Sequence, residues 1–288
     1  MSRLGLLHFA WRTCTAALVL YLSWLTTFVL FPYLDKQMPV YPAIFIMYVL
    51  VAYVLIPLVV RFWRIVFKPN HLPRYVLTGD GWPSDPVNIV LVARNRRQLI
   101  RTMQQAGWTT ADRVTLTSAL RLCYAMMVGA SYPHAPFSSL YLFGRRQDIG
   151  FQIQTGTPPT PRHRHHVRFW QLSETDVKPF SHHHQHVSFW RSLLIGLTSH
   201  KHTVWIGAAT HDIAPFAIRW RNGQITHQID EVTERERDFL ISTLRSVDAI
   251  RSEHSVDAGD PLKIRGQTFG VTLIVDDTIK VVRLRAGA

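Results

Sequence analysis

Cysteine is almost absent from this 288-residue chain: Cys14 and Cys123 are its only two. Cys14 lies in a long apolar run and Cys123 in a stretch of helical periodicity, so no disulfide framework organises the fold. Asn-x-Ser/Thr sequons are missing too, and a reducing compartment fits both absences. Acid is in short supply: 19 Asp and Glu face 32 Lys and Arg, a net charge of +13 with His neutral. The sequence also lacks Gly-x-Ser-x-Gly, a Walker phosphate loop, a full dinucleotide glycine fingerprint, paired Cys-x-x-Cys and His-Glu-x-x-His. None of the enzyme classes that announce themselves by such motifs can therefore be assigned.

Charge is nearly missing from the first 68 residues, which hold six basic residues and one acid, Asp35. Thr13 to Leu34 is 22 residues without a formal charge, and Gln37 to Val60 is a second such stretch with its apolar body from Val40. Each is long enough to cross a hydrocarbon core of about 30 Å as a helix rising about 1.5 Å per residue. Pro32, Pro42 and Pro57 fall near the ends, and Trp11, Tyr33, Tyr41 and Trp63 suit the interfacial belts. Only Asp35-Lys36-Gln37-Met38-Pro39 separates the stretches, which predicts an antiparallel transmembrane hairpin over 1–68, with spans at about 13–34 and 40–60. Arg3 and Arg12 precede it, and Arg61, Arg64, Lys68 and Arg74 follow. Positive charge resists translocation, so both ends are expected on the cytoplasmic side of a cell inner membrane.

After a Pro- and Gly-punctuated linker at 69–86, residues 87–288 read as a soluble α+β domain, a mixed α/β sheet. Val87–Val92 reads as a buried strand. Asn95 is placed to cap a helix over Arg96 to Ala106, Gly107 to end it, and Trp108 to pack back on the core. A second helix is expected over Thr115 to Val128, with Leu116, Leu120, Cys123, Tyr124 and Met127 at helical spacing. Strands are expected at Leu140–Phe143, Phe151–Gln154, His165–Leu172, Thr203–Ala209 and Ile225–Ile229. A helix over Thr233 to Val247 opens on a capping box of Thr233 and Glu236. Two strands, Thr268–Val275 and Ile279–Leu284, close the chain. A His-rich insertion occupies about 175–202, with His182, His183, His184, His186, His200 and His202 around an apolar run too short to span a bilayer.

The densest basic feature is Arg162 to Trp170. Side chains alternate along a strand, so Arg164, His166 and Arg168 share one face, and His165, Val167 and Phe169 the other. The first face is an anion stripe, because a guanidinium offers paired donors to phosphate or carboxylate. Arg145, in Gly144-Arg145-Arg146-Gln147-Asp148, is a further candidate anion ligand, or a partner of Asp148. Thr210-His211-Asp212 follows a strand of small residues, and His227 and Asp230 precede the Thr233 helix. His166, His211, Asp212, His227 and Asp230 are thus the candidate catalytic residues, as an acid–base pair or nitrogen and oxygen ligands. Their spacing is not diagnostic: it assigns no metal site and no cofactor. Arg94, Arg97 and Arg101 recur at helical spacing, as a solvated face or a contact to anionic lipid.

These same segments carry a resemblance. Asp85 to Val92, Ala106-Gly107-Trp108, Leu140 to Asp148, Arg164 to Trp170, Trp205 to Asp212, and Ile225 to Asp230 with Glu236-Arg237-Asp238 are similar, in this order, to the LssY-like C-terminal domain family. The resemblance covers roughly Asp80 to Leu244 and implies a domain of bacterial membrane-associated proteins with no settled activity, so it transfers no catalytic residue. The His-rich stretch is longer than the family's usual connection, and the chain after Ser246 matches least. No phosphatidic-acid-phosphatase motif accompanies it.

Three functions follow from the residues. The first is a membrane-anchored cytoplasmic module binding an anionic ligand or lipid headgroup through Arg145, Arg164, His166 and Arg168. The second is a metal- or His/Asp-dependent hydrolase of a phosphorylated substrate. The third is a scaffold for another membrane protein. Nucleic acid is disfavoured because no recognised module accompanies the charge.

Overall fold

The computed structural model describes residues 13–14, 17–18, 20–60, 74–173, 176, 202–219, 223–257, 262–265, 272–276 and 278–285. The His-rich insertion lies outside the described residues except for Asp176 and His202. The chain divides into two compact units: Met1–Pro69 with Asp80–Trp82 and Arg221–Gln224, and Asn70–Gly79 with Pro83–Trp220 and Ile225–Ala288.

In the first unit, a π-helical turn at Leu25–Leu30 runs into α1 (Phe31–Gln37). Helix α2 (Val40–Val60) follows, with a π-helical stretch at Val51–Leu55. Met38 breaks the helix with extended backbone, as the residue before a proline must, and Pro39 starts α2. The expected five-residue loop is therefore two residues long, because Asp35, Lys36 and Gln37 complete the last turn of α1. Among the described residues, one helix is long and apolar enough to cross a membrane: α2, with mean hydropathy 2.8. Its apolar side chains are largely uncovered, including Tyr41, Ile44, Phe45, Tyr53 and Val54, whereas Ala43 and Ala52 are buried. A core helix of a soluble protein would show the reverse. Part of the first expected span falls outside the described residues.

The second unit is a mixed α/β sheet domain. Its strands are β1 (Tyr75–Leu77), β2 (Pro83–Pro86), β3 (Ile89–Ala93), β4 (Thr109–Thr110), β5 (Tyr141–Leu142), β6 (Arg145–Arg146) and β7 (Ile149–Thr155), followed by β8 (Thr160–Gln171), β9 (Thr203–Ile218), β10 (Ile225–Ile229), β11 (Ile250–Asp257), β12 (Leu262–Arg265), β13 (Thr272–Val275) and β14 (Thr278–Leu284). Helices α3 (Arg96–Gln105) and α4 (Leu116–Val128) separate β3 from β5, with β4 between them, and α5 (Thr233–Ser246) joins β10 to β11. The main sheet runs β11-β14-β3-β9-β8-β7-β4, with β10 beside the second half of β9. Strands β3 and β14 pair in parallel, and the other pairings in this sheet are antiparallel. A small sheet, β2-β1-β5-β6, forms within the stretch read as a linker and the loop beyond α4.

Alternation along β3, β8 and β9 sorts the core onto two faces. Ile89, Leu91, Val167, Phe169, Trp205 and Ala209 meet Leu99 and Met103 of α3 and Leu240, Ile241 and Leu244 of α5. Val90, Val92, Trp170, Val204, Ile206 and Ala208 meet Val76, Leu140 and Leu142 of the small sheet. Asn95 caps α3 through Gln98 N at 2.9 Å, Gly107 beyond it has φ +85°, and Trp108 is buried, as the sequence predicts.

Two expectations are corrected. Strand β9 does not end at Ala209: it continues through Thr210, His211 and Asp212, because β8 pairs with it there and β10 takes over from β3 on its other edge. The expected capping box of α5 does not form: Val232 is the N-cap, and Glu236 turns to His165 instead. The expected helix over Thr115 to Val128 forms as α4, and its apolar stripe, whose direction the spacing leaves open, faces outward, because the helix buries Ser118 and Ala125 on its opposite side.

Candidate functional site

The site grows from the register of β8 and β9 on the face covered by the small sheet. Arg164 lies opposite Asp212, and His166 opposite Thr210. On the other edge of β8, Gln152 lies opposite His166, and Gly150 opposite Arg168. Alternation thus gathers Arg164, His166, Arg168, Thr210, Asp212 and Gln152 on one patch of sheet, all buried.

Burial of so much charge requires partners. Arg164 Nε donates to Asp212 Oδ2 at 2.9 Å, and its Nη1 to Gln152 Oε1 at 3.1 Å. Arg168 Nη1 donates to Asp85 Oδ2 at 2.8 Å, and Ser84 Oγ donates to Asp85 Oδ1 at 2.9 Å. Phe137 closes the patch: its ring lies 4.5 Å from Arg168 Cζ and 5.4 Å from the His166 ring. Gly150 makes the room, since a Cβ there would stand 2.3 Å from Phe137 Cζ.

Within this patch, His166, Asp212 and His227 bring one ligand atom each within 4.8 Å of one another. His166 Nδ1 is 3.5 Å from Asp212 Oδ1, and His227 Nε2 is 3.2 Å from the same oxygen. A tetrahedral ion with bonds of about 2.0–2.1 Å holds its ligand atoms about 3.3 Å apart, so these spacings fit one. Neither His166 Nδ1 nor Asp212 Oδ1 has a hydrogen-bond partner, although both are buried. His166 Nε2 sits 2.9 Å from Thr210 Oγ1, which in turn is 3.4 Å from Asp85 Oδ2. His227 is the most exposed of the three, at 28% of its side chain, and lines an open cleft with Ser84, Asp85, Ser138, Arg168, Arg219 and Thr226.

The electrostatics keep the imidazoles neutral. Burial holds His166 well below the usual histidine range against the attraction of Asp212, and Arg168 and Arg164 push the same way as burial. His227 is lowered by burial too, again against Asp212. Burial alone would raise Asp212, but His166, His227 and Arg164 outweigh it and hold the carboxyl well below its ordinary value. Two neutral imidazoles and one carboxylate are the protonation states a divalent ion needs.

A second group lies on the opposite, helix-covered face: His165, His211 and Glu236. His165 Nδ1 is 2.6 Å from Glu236 Oε2, and the His165 ring stacks between His211 and Phe239, with centroids at 4.2 and 4.0 Å. Here Glu236 Oε2 is already engaged by an imidazole, while its buried Oε1 has no hydrogen-bond partner.

The sequence profile of the family described as LssY C-terminus matches residues 69–270. The chain belongs to this family. No curated protein matches it, and no solved structure does. Both histidine groups and Asp85 fall inside the matched region of the LssY C-terminus domain, whereas β13 and β14 lie beyond it.

Of the residues singled out from sequence, the structure brings together Arg164, His166, Arg168, Asp212 and His227. His211 points to the other face of β9, as alternation from Asp212 requires. Asp230 sits ahead of α5, accepting from Val232 N at 2.9 Å. Arg145 is apart from the stripe: it pairs with Asp148 at 2.6 Å and Asp176 at 3.1 Å. Arg94, Arg97 and Arg101 are exposed. Sequence reasoning did not find Asp85, Gln152 or the His165–Glu236 pair. Asp85 sits in a proline-punctuated stretch that reads as linker, and its ion pair with Arg168 spans 83 positions.

Proposed function

We propose that this LssY C-terminus domain is a membrane-anchored, metal-dependent hydrolase acting on an anionic, phosphorylated substrate. His166 Nδ1, Asp212 Oδ1 and His227 Nε2 would hold one divalent transition-metal ion. The observation that carries this reading is the pair of buried, unpartnered atoms, His166 Nδ1 and Asp212 Oδ1, facing each other at 3.5 Å with His227 Nε2 alongside. An unsatisfied buried polar atom costs about 1–3 kcal/mol, so two that converge call for a shared cation. With Thr210 donating to Asp85, Thr210 Oγ1 accepts from His166 Nε2–H, which leaves the Nδ1 lone pair for the ion.

A bound divalent ion supplies Lewis acidity and a water of lowered pKa. The chain's residues supply the remainder. Asp85 and Asp212 balance Arg164 and Arg168, so an ion adds two uncompensated positive charges beside the cleft. That excess favours an anion there, and Arg168, Ser84 and Ser138 line the cleft where a phosphoryl group would enter. Three protein ligands, with one at a cleft, is the pattern of catalytic rather than structural zinc. The anion stripe thus enters this reading as internally paired arginines beside the ion.

The anchor in this reading is a two-span hairpin whose second member is α2, with the domain on the cytoplasmic side. Support comes from the two-residue turn at Met38-Pro39, the uncovered apolar surface of α2 and the basic flanks.

The test is elemental analysis of untagged full-length protein purified in detergent, with Asp212→Ala and His166→Ala alongside. About one equivalent of metal in wild type, absent from both variants, is expected, together with turnover of a phosphoester panel by wild type only. Equal metal in all three proteins would assign it to other histidines and overturn the reading.

A further inference from the structure

We propose that the outward face of α4 seats directly on an anionic phospholipid bilayer, as a second membrane contact separate from the spanning segment. The helix is 13 residues with two faces of opposite character. Inward it turns Ser118 and Ala125, packed near Tyr132 and Ala135. Outward it turns Leu116, Leu120, Tyr124 and Met127, exposed at 78%, 62%, 60% and 74%, with Cys123 also exposed. These positions follow helical spacing, so they form one continuous apolar stripe along the whole element. Val114 and Val128, also exposed, extend it at either end.

Such a stripe in water is a cost unless something covers it. Charge identifies the cover. No Asp or Glu occurs between Asp112 and Asp148, while Arg113 and Arg121 sit beside the stripe. Arg121 lies with its Cζ 4.2 Å from the Tyr132 ring centroid. An apolar face flanked by Arg113 and Arg121, with the acid at its edge, Asp112, accepting from Tyr132 Oη at 2.7 Å, matches the interface of an anionic leaflet, where hydrocarbon lies below phosphate. The ends of α4 are fixed without help from that face. Thr115 and Ser118 form a reciprocal capping box, and Arg162 donates to the carbonyls of Met126 and Met127. The helix is thus preformed, and contact costs little ordering. A chain carrying a helix of spanning length also keeps the bilayer at high effective concentration, so a shallow contact suffices.

The native Cys123 on this face gives a direct test. Full-length Cys14→Ser protein, spin-labelled at Cys123, is reconstituted into phosphatidylcholine vesicles containing phosphatidylglycerol. Accessibility to oxygen and to a water-soluble nickel complex is then compared. The control carries its label at Gln104→Cys, on the exposed side of α3, in a Cys14→Ser, Cys123→Ser background. Oxygen should dominate at Cys123 and nickel at Gln104. Leu120→Asp with Met127→Asp should move the Cys123 label into water with unchanged circular dichroism, and omitting phosphatidylglycerol should weaken the oxygen preference. A Cys123 label as open to nickel as the control overturns the proposal. So does strong dipolar coupling between Cys123 labels, which would make a second copy of the chain the cover.

Discussion

His166 Nδ1 and Asp212 Oδ1 oppose each other across adjacent strands at 3.5 Å, and neither has a hydrogen-bond partner. The pair is held rigidly, since Arg164 fixes the other carboxylate oxygen and Thr210 the other ring nitrogen. A ligand that binds only the folded state stabilises it by about 2.7 kcal/mol at one hundred times its Kd. Zinc or manganese at that excess should therefore raise the melting temperature of the full-length protein in detergent, and a chelator should reverse the rise. Asp212→Asn removes the ligand oxygen's charge and should abolish the shift. An equal shift in Asp212→Asn would place the ion elsewhere.

Arg168 and Asp85 make the second buried ion pair, at 1% and 4% exposure. Removing one partner of such a pair strands a charge and costs about 3–5 kcal/mol, whereas replacing both with apolar side chains of similar size is often near neutral. Asp85→Ala should be destabilised by that amount in urea melts followed by tryptophan fluorescence, since Trp170 sits in the adjoining core. Arg168→Met combined with Asp85→Leu should recover most of the loss. If the double variant is as unstable as the single, the pair holds more than charge.

Gly150 and Phe137 are coupled by contact rather than by charge. A methyl group at position 150 would meet Phe137 Cζ at 2.3 Å and Cε2 at 2.6 Å, so the ring must leave its place over Arg168. Overpacking of this kind costs about 1–3 kcal/mol. Gly150→Ala should lower stability by that much, and adding Phe137→Leu should restore part of it. Additive losses in the double-mutant cycle would deny the coupling.

Much of this architecture is legible in the residues. Asn95, Gly107 and Trp108 mark the bounds of α3, and strict alternation puts Arg164, His166 and Arg168 on one face. What periodicity cannot supply is the partner. Asp212 reaches the stripe through strand pairing 48 positions away, and Asp85 from β2 of the small sheet 83 positions away, and nothing local marks either as its counterion. Periodicity is also silent about direction: the spacing of Leu116, Leu120, Tyr124 and Met127 defines a stripe on α4 but not that it faces away from the core. Asn88 shows a third limit. Its side chain accepts from Ala209 N and donates to Ala209 O, filling the edge of β9 between β3 and β10 as a backbone unit would. A lone Asn beside a strand carries no sign of that role.

The Arg237–Asp276 pair ties α5 to the turn before β14 and yields a pH dependence. Arg237 Nη1 is 2.9 Å from Asp276 Oδ2, and Thr278 Oγ1 donates to the same oxygen at 2.8 Å. Burial would raise the Asp276 carboxyl, but the hydrogen bonds from Arg237 and Thr278 outweigh it and lower its pKa. A depressed carboxylate contributes stability that is complete above its unfolded value, about 3.9, and fades as pH falls toward the folded one. Because Asp276 is partly open to water, the contribution is small, about 1 kcal/mol. Asp276→Asn should therefore melt below wild type by a constant margin from pH 8 to pH 5, with the two curves converging below about pH 4. A margin that persists undiminished into that acid range would assign the loss to packing of the turn rather than to the charge on Asp276.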